Sequence, residues 1–201
     1  MNRGGPEVFV LSDARHPIEV EAGLLQDVLE CLLHHIIFHR ALAGKAITPR
    51  DTILLDDIFY VKCGDSRIEK QVHESAQAAC KALKMRDRGG AVTLTFYERI
   101  SSGLLGEGLV GPWEEWSVHL LVRTEPAFGQ REELLRRNEL ESRIRELLWT
   151  VQKLVNSHRQ HLPKEVILYF VLYSIKCFSS TFIEHRPPLL RLHIRCINFN
   201  T

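Results

Sequence analysis

Cysteine pairs, excess charge and nucleotide motifs are all missing from this chain of 201 residues. The five cysteines, Cys31, Cys63, Cys80, Cys177 and Cys196, are widely spaced and never form a CxxC pair. That spacing argues against a disulfide framework and a zinc knuckle, and predicts a reducing, intracellular compartment. Lysine and arginine number 26 against 25 aspartates and glutamates, so no charge excess pulls the chain onto phosphate backbones, and nucleic acid is not expected as a partner. Met1 to Asp13 has no apolar run of signal-peptide length. There is no GxSxG, no P-loop and no GxGxxG between a strand and a helix, and no internal repeat.

What is present is an ordinary apolar fraction, 45%, enough for one core. The organising stretch is Ala91 to Arg123. Val92, Leu94 and Phe96 alternate with Thr93, Thr95 and Tyr97, and Trp116, Val118, Leu120 and Val122 repeat the period of two, so two strands are predicted. Between them Ser101 to Pro112 carries Gly103, Gly106, Gly108 and Gly111, too long for a tight hairpin and too apolar for an idle turn. Function is expected in that loop, on Gly103, Leu104, Leu105, Leu109 and Val110.

Glu7 to Leu11 reads as an edge strand or a frayed end. A helix is predicted over about Glu19 to Leu42, apolar on so wide an arc that it must be covered on two sides. Lys45 to Asp51, with Pro49, reads as a connection and Ile53 to Cys63 as a strand. Ser66 and Glu69 fit a capping box ahead of a helix with Ile68, Val72, Ala76, Ala79 and Leu83 on one stripe. A long helix, about Arg131 to His158, buries Leu140, Ile144, Leu147, Val151 and Leu154 and turns charged faces to solvent. The element order predicts an α+β fold, a mixed sheet with helices mostly on one face.

Chemistry is sparse. His35 and His39 lie one turn apart, but no glutamate completes HExxH and no third ligand is identifiable, so a structural pair is favoured and no metal or cofactor is expected. Cys63 beside His73 would make a nucleophile and base only by accident of folding; a cysteine at a strand end is usually core. No catalytic residue is assigned.

The blocks Ile37-Phe38-His39-Arg40-Ala41-Leu42, Phe59 to Gly64, Ile68-Glu69-Lys70, Leu94 to Glu98 and Trp113-Glu114-Glu115-Trp116 occur in that order, followed by Val155-Asn156 and His161-Leu162-Pro163. The series, from about Val20 to Pro163, resembles the autophagy-related protein 101 family, HORMA-fold subunits of the kinase complex that initiates autophagosome formation. The resemblance implies a HORMA-like mixed or antiparallel sheet backed by three helices. It also implies an adaptor rather than an enzyme, cytoplasmic and at the phagophore assembly site. The adaptor would pair with and stabilise the HORMA domain of autophagy-related protein 13, through it join the initiating kinase, and help recruit downstream factors. Phe38, His39 and Arg40 mix an aromatic, a titratable ring and a forked donor and are assigned to subunit pairing.

Two departures from the family stand out. Its recruiting loop carries an exposed Trp and Phe, whereas Ser101 to Pro112 has only leucines and a valine as large apolar residues. These either act as exposed anchors or tuck against the sheet. The second departure is the C-terminus, which divides the chain into a HORMA-like part, 1–165, and a divergent segment, 166–201. Val166 to Ile175 is predicted to supply a strand, and the closure of the sheet beyond it is expected to be altered or missing. Val166 to Ile183 is near the lower length limit for a membrane span, but Lys176, Ser179 and Ser180 dilute it, so no stable membrane insertion is expected. The alternatives are a HORMA-like adaptor of a checkpoint or chromosomal complex and a small hydrolase with an unrecognised site.

Overall fold

A computed structural model describes residues 5–40, 47–51, 55, 58–85, 89–102, 106–158 and 166–173. Its backbone is a five-stranded mixed sheet, a separate two-stranded sheet and three helices. The two predicted strands form the centre: β5, Gly89–Ser102, and β6, Gly106–Arg123, pair antiparallel with Leu94 opposite Trp116 and Val92 opposite Val118. Their alternation puts Val92, Leu94, Phe96, Trp116, Val118, Leu120 and Val122 into the core.

Both early strands lie along the other edge of β6. β1, Glu7–Val10, and β2, Ile18–Glu21, pair with it in parallel, opposite Glu114–Ser117 and Leu120–Arg123 respectively. The segment between them stays stitched to the same edge. Leu11 N donates to Ser117 O at 2.8 Å, and Ser12 Oγ donates to His119 O at 2.9 Å. Here the structure differs from the expected helix start at Glu19. Ile18 and Val20 are buried while Glu19 is exposed, a period of two that the open edge of β6 converts into a strand. On the far side β7, Val166–Tyr173, pairs antiparallel with β5 from Glu98 back to Ala91.

Helix α1, Leu25–Arg40, is buried on nearly every side and packs against both other helices, as its wide apolar arc requires. Helix α2, Ser66–Met85, buries the predicted stripe Ile68, Val72, Ala76, Ala79 and Leu83. Its start is capped by Asp65 rather than by Ser66: the Asp65 carboxylate accepts from Arg67 N at 2.8 Å and its carbonyl from Glu69 N at 3.0 Å. Helix α3, Gln130–Ser157, buries Leu140, Ile144, Leu147 and Val151 against α1 and β2. The polar run with Pro49, expected as a connection, pairs instead as β3, Ile47–Asp51, antiparallel to β4, Phe59–Cys63. A proline is tolerated there because a two-stranded sheet consists only of edges. Ile53 and the start of the longer predicted strand lie outside the described residues, as do 174–201 of the divergent C-terminal segment.

Candidate functional site

The expected excursion between the central strands is mostly ladder. Pairing runs to Ser102 opposite Gly106, so Leu109 and Val110 belong to the backbone of β6, while Gly103, Leu104 and Leu105 lie outside the described residues. Register shifts fall between Phe96 and Tyr97 and between Tyr97 and Arg99. Phe96 faces Glu114, Tyr97 faces Pro112 and Arg99 faces Leu109, so β6 carries more residues than β5 over this stretch. Bulges of this kind bend a hairpin and re-aim what lies beyond. Trp113 sits at the first shift, half-buried, its ring 5.6 Å from that of Phe96.

The base of that arm is held by a charge. Glu114 and Arg40 are each about 1% exposed at the side chain, with Arg40 Nη2 2.8 Å from Glu114 Oε2 and Arg40 Nε donating to Glu114 Oε1 at 2.9 Å. The indole of Trp116 donates to the same carboxylate. The third guanidinium nitrogen, Nη1, donates to the His158 carbonyl at 3.2 Å, just past the end of α3. The rings of Phe9 and Trp116 both lie 5.8 Å from the guanidinium carbon. Burial pushes the Glu114 carboxyl above its ordinary value, and the Trp116 and Arg40 contacts partly oppose that. Arg40 is therefore turned inward, whereas Phe38 and His39, immediately before it, remain only partly buried.

His35 Nε2 donates to the Leu148 carbonyl of α3 at 3.1 Å, which fixes the neutral tautomer and leaves Nδ1 buried without a hydrogen-bond partner. Its ring is 4.6 Å from that of His39, which in turn lies 5.2 Å from Phe38. Burial, then the neighbouring His39, pushes His35 down to about 4; burial, then Arg40, lowers His39. One anchor at Leu148 and a second at His158 therefore set the end of α1 alongside the last turns of α3.

Large apolar side chains are left exposed on α3, Trp149 near its end and Leu134 and Leu135 near its start. Trp149 is 57% exposed, with Lys153 Nζ 5.4 Å from its ring, and Leu134 and Leu135 are 60% and 55% exposed. At 100° per residue Trp149 stands opposite Leu140, so its indole faces away from the buried stripe. The signal was available, because a tryptophan out of phase with the Leu140–Ile144–Leu147 stripe has no place in the core. The dense charge around it gives that face the pattern of a solvated surface. Phe128, 97% exposed ahead of α3, escaped notice for the same reason.

Groups for catalysis do not converge among the described residues. His73 is engaged with Glu30 at 2.8 Å, tying α2 to α1, and the side chain of Cys63 lies outside the described residues. Burial pushes the thiols of Cys31 and Cys80 up to about 12 and about 11, which makes both poor nucleophiles. No group of three His, Cys, Asp or Glu among the described residues could hold a metal ion, and no described helix is long and apolar enough to cross a membrane.

Comparison with known proteins gives this arrangement a context. The family model described as Autophagy-related protein 101 matches residues 17–166. Autophagy-related protein 101 of Arabidopsis thaliana is 31% identical over 175 residues, 76% of this chain and 80% of the relative. Its namesake in Xenopus laevis is 23% identical over 162 residues, 73% of this chain and 72% of the relative. The matched span runs from the turn before β2 to the start of β7 and so takes in the core, the Arg40–Glu114 pair and the outer face of α3. The chain belongs to the autophagy-related protein 101 family.

Proposed function

We propose that this protein is a non-catalytic adaptor of the autophagy-initiation kinase complex, with a HORMA-type fold, that pairs with the HORMA domain of autophagy-related protein 13. The observation that carries the reading is the outer face of α3. Leu135 and Trp149 are more than half exposed, Trp149 on the side of α3 away from the buried Leu140, Ile144, Leu147 and Val151. Tryptophan is the residue type most enriched among interface anchors, and a folded chain gains nothing by holding it in water. Phe38 and His39, partly buried at the end of α1, are the second part of the pairing surface in this reading. Arg40 supports it from beneath.

The β5–β6 arm is the second interaction element in this reading, with Gly103, Leu104, Leu105, Leu109 and Val110 recruiting downstream factors at its tip. Pairing at the α3 face joins the chain to the initiating kinase through the partner, and places it in the cytoplasm and at the phagophore assembly site. The test is a pair of substitutions, Leu135→Ser with Trp149→Ser, assayed for binding to the HORMA domain of autophagy-related protein 13. Affinity should fall more than about tenfold, the loss expected for removing interface anchors. The melting temperature should hardly change, since both side chains are already largely in water. Undiminished binding would remove the α3 face from the interface.

A further inference from the structure

We infer that Arg40 is a positioning residue for the β5–β6 arm, clasping its base through Glu114 to the ends of α1 and α3. The inference rests on the adaptor reading for the arm's purpose, but its geometry stands apart from any partner.

Support for the arm thins toward its tip. β1 accompanies β6 only from Glu114 onward, and β7 accompanies β5 only as far as Glu98. Beyond these limits the described ladder has two strands, pairing Arg99 with Leu109, Ile100 with Gly108, Ser101 with Glu107 and Ser102 with Gly106. An isolated two-stranded ribbon is marginal in water and takes its direction from whatever holds its root. The two register shifts fall between this ribbon and the sheet, at the point where a bend is easiest.

Glu114 is the last residue of β6 before those shifts, and its carboxylate accepts two hydrogen bonds through Oε1, from Arg40 Nε of α1 and from the Trp116 indole of β6 itself, while Arg40 Nη2 lies in ion-pair contact with Oε2 at 2.8 Å. The same guanidinium holds the carbonyl of His158 at the end of α3. One planar fork thus spans α1, α3 and the root of the arm, and planarity lets it fix direction as well as distance. A lysine would keep the charge but could not hold these acceptors in one plane. Because Phe38 and His39 immediately precede Arg40, the arm is aimed relative to the proposed pairing surface. What docks there and what the tip recruits are held in a set geometry.

Hydrogen exchange on the full chain without any partner tests this. In the double variant Arg40→Met with Glu114→Leu, the buried charges are replaced by apolar groups of similar size, which generally preserves a fold. Amides of 99–102 and 106–109 should exchange about tenfold faster, while those of 92–96, in the covered part of β5, keep the wild-type rate. Arg40→Lys should show the same local pattern to a smaller degree, and it decides the matter if the double variant does not fold. Unchanged exchange in the arm, or acceleration spread evenly over arm and core, would overturn the inference. Either result is independent of the binding assay for the α3 face, so failure of one is distinguishable from failure of the other.

Discussion

Acid should weaken this protein through one imidazole. His35 donates its Nε2 proton to Leu148 O and has its Nδ1 buried without a partner, so a second proton has no acceptor to meet. Burial and then the neighbouring His39 hold it at about 4, against an ordinary 6.5. The folded state therefore binds fewer protons than the unfolded state between these values, and stability falls as pH drops through that window. With those two values, linkage removes about 2 kcal/mol between about pH 7 and pH 5 and about 3 kcal/mol by about pH 4. His39, also lowered, acts in the same direction. Glu114 acts in the opposite one: its value is raised above the ordinary 4.5, so its contribution is present at low pH and is lost as pH rises through that range. Comparison of wild type with His35→Gln cancels this term, because the glutamine amide can still donate to Leu148 O but does not titrate. Urea unfolding at several pH values should show a pH slope in wild type about 2 kcal/mol larger between about pH 7 and pH 5 than in the variant. Parallel slopes, or an NMR titration midpoint for His35 near its ordinary value, would refute the argument.

Three further outcomes are expected. Arg40→Ala alone strands the Glu114 carboxylate in the core and should cost about 3 to 5 kcal/mol in denaturant unfolding, far more than the apolar double replacement. Ile144→Ala, at a fully buried site facing α1, should cost about 2 to 5 kcal/mol, whereas Leu135→Ala on the exposed face should cost well under about 1 kcal/mol. Leu104→Ser with Leu105→Ser should abolish recruitment of a downstream autophagy factor with the melting temperature nearly unchanged if the two are exposed anchors. A loss of about 2 to 5 kcal/mol would instead place them against the sheet, and a variant normal in both assays would remove the tip from the functional surface.

How much of the fold was legible follows from how local its causes are. The alternation from Val92 to Phe96 and from Trp116 to Val122, and the stripes on α2 and α3, depend on neighbours two to four residues away, and the register and burial follow them. Ile18–Glu21 was misread because the short apolar alternation suits a helix start or a strand equally, and only the open edge of β6, a hundred residues distant, selects the strand. The same holds for Ile47–Asp51, which has a strand partner only because β4 turns back beside it. Ser66 fits a capping pattern, yet the backbone turns one residue earlier and gives Asp65 the role.

For the candidate site the division is sharper. The sequence alone determined the family blocks and the aromatic and cationic residues at the end of α1, because residue type and spacing carry those. Tertiary structure alone decided that Arg40 points inward to Glu114, 74 residues away, rather than outward to a partner. It also decided that Trp149 is left exposed and that residues 99–102 pair with 106–109 beyond two register shifts. The physical reason is common to all three. Whether a side chain meets a charge, a core or solvent depends on which distant segments fold beside it, and no local pattern records that.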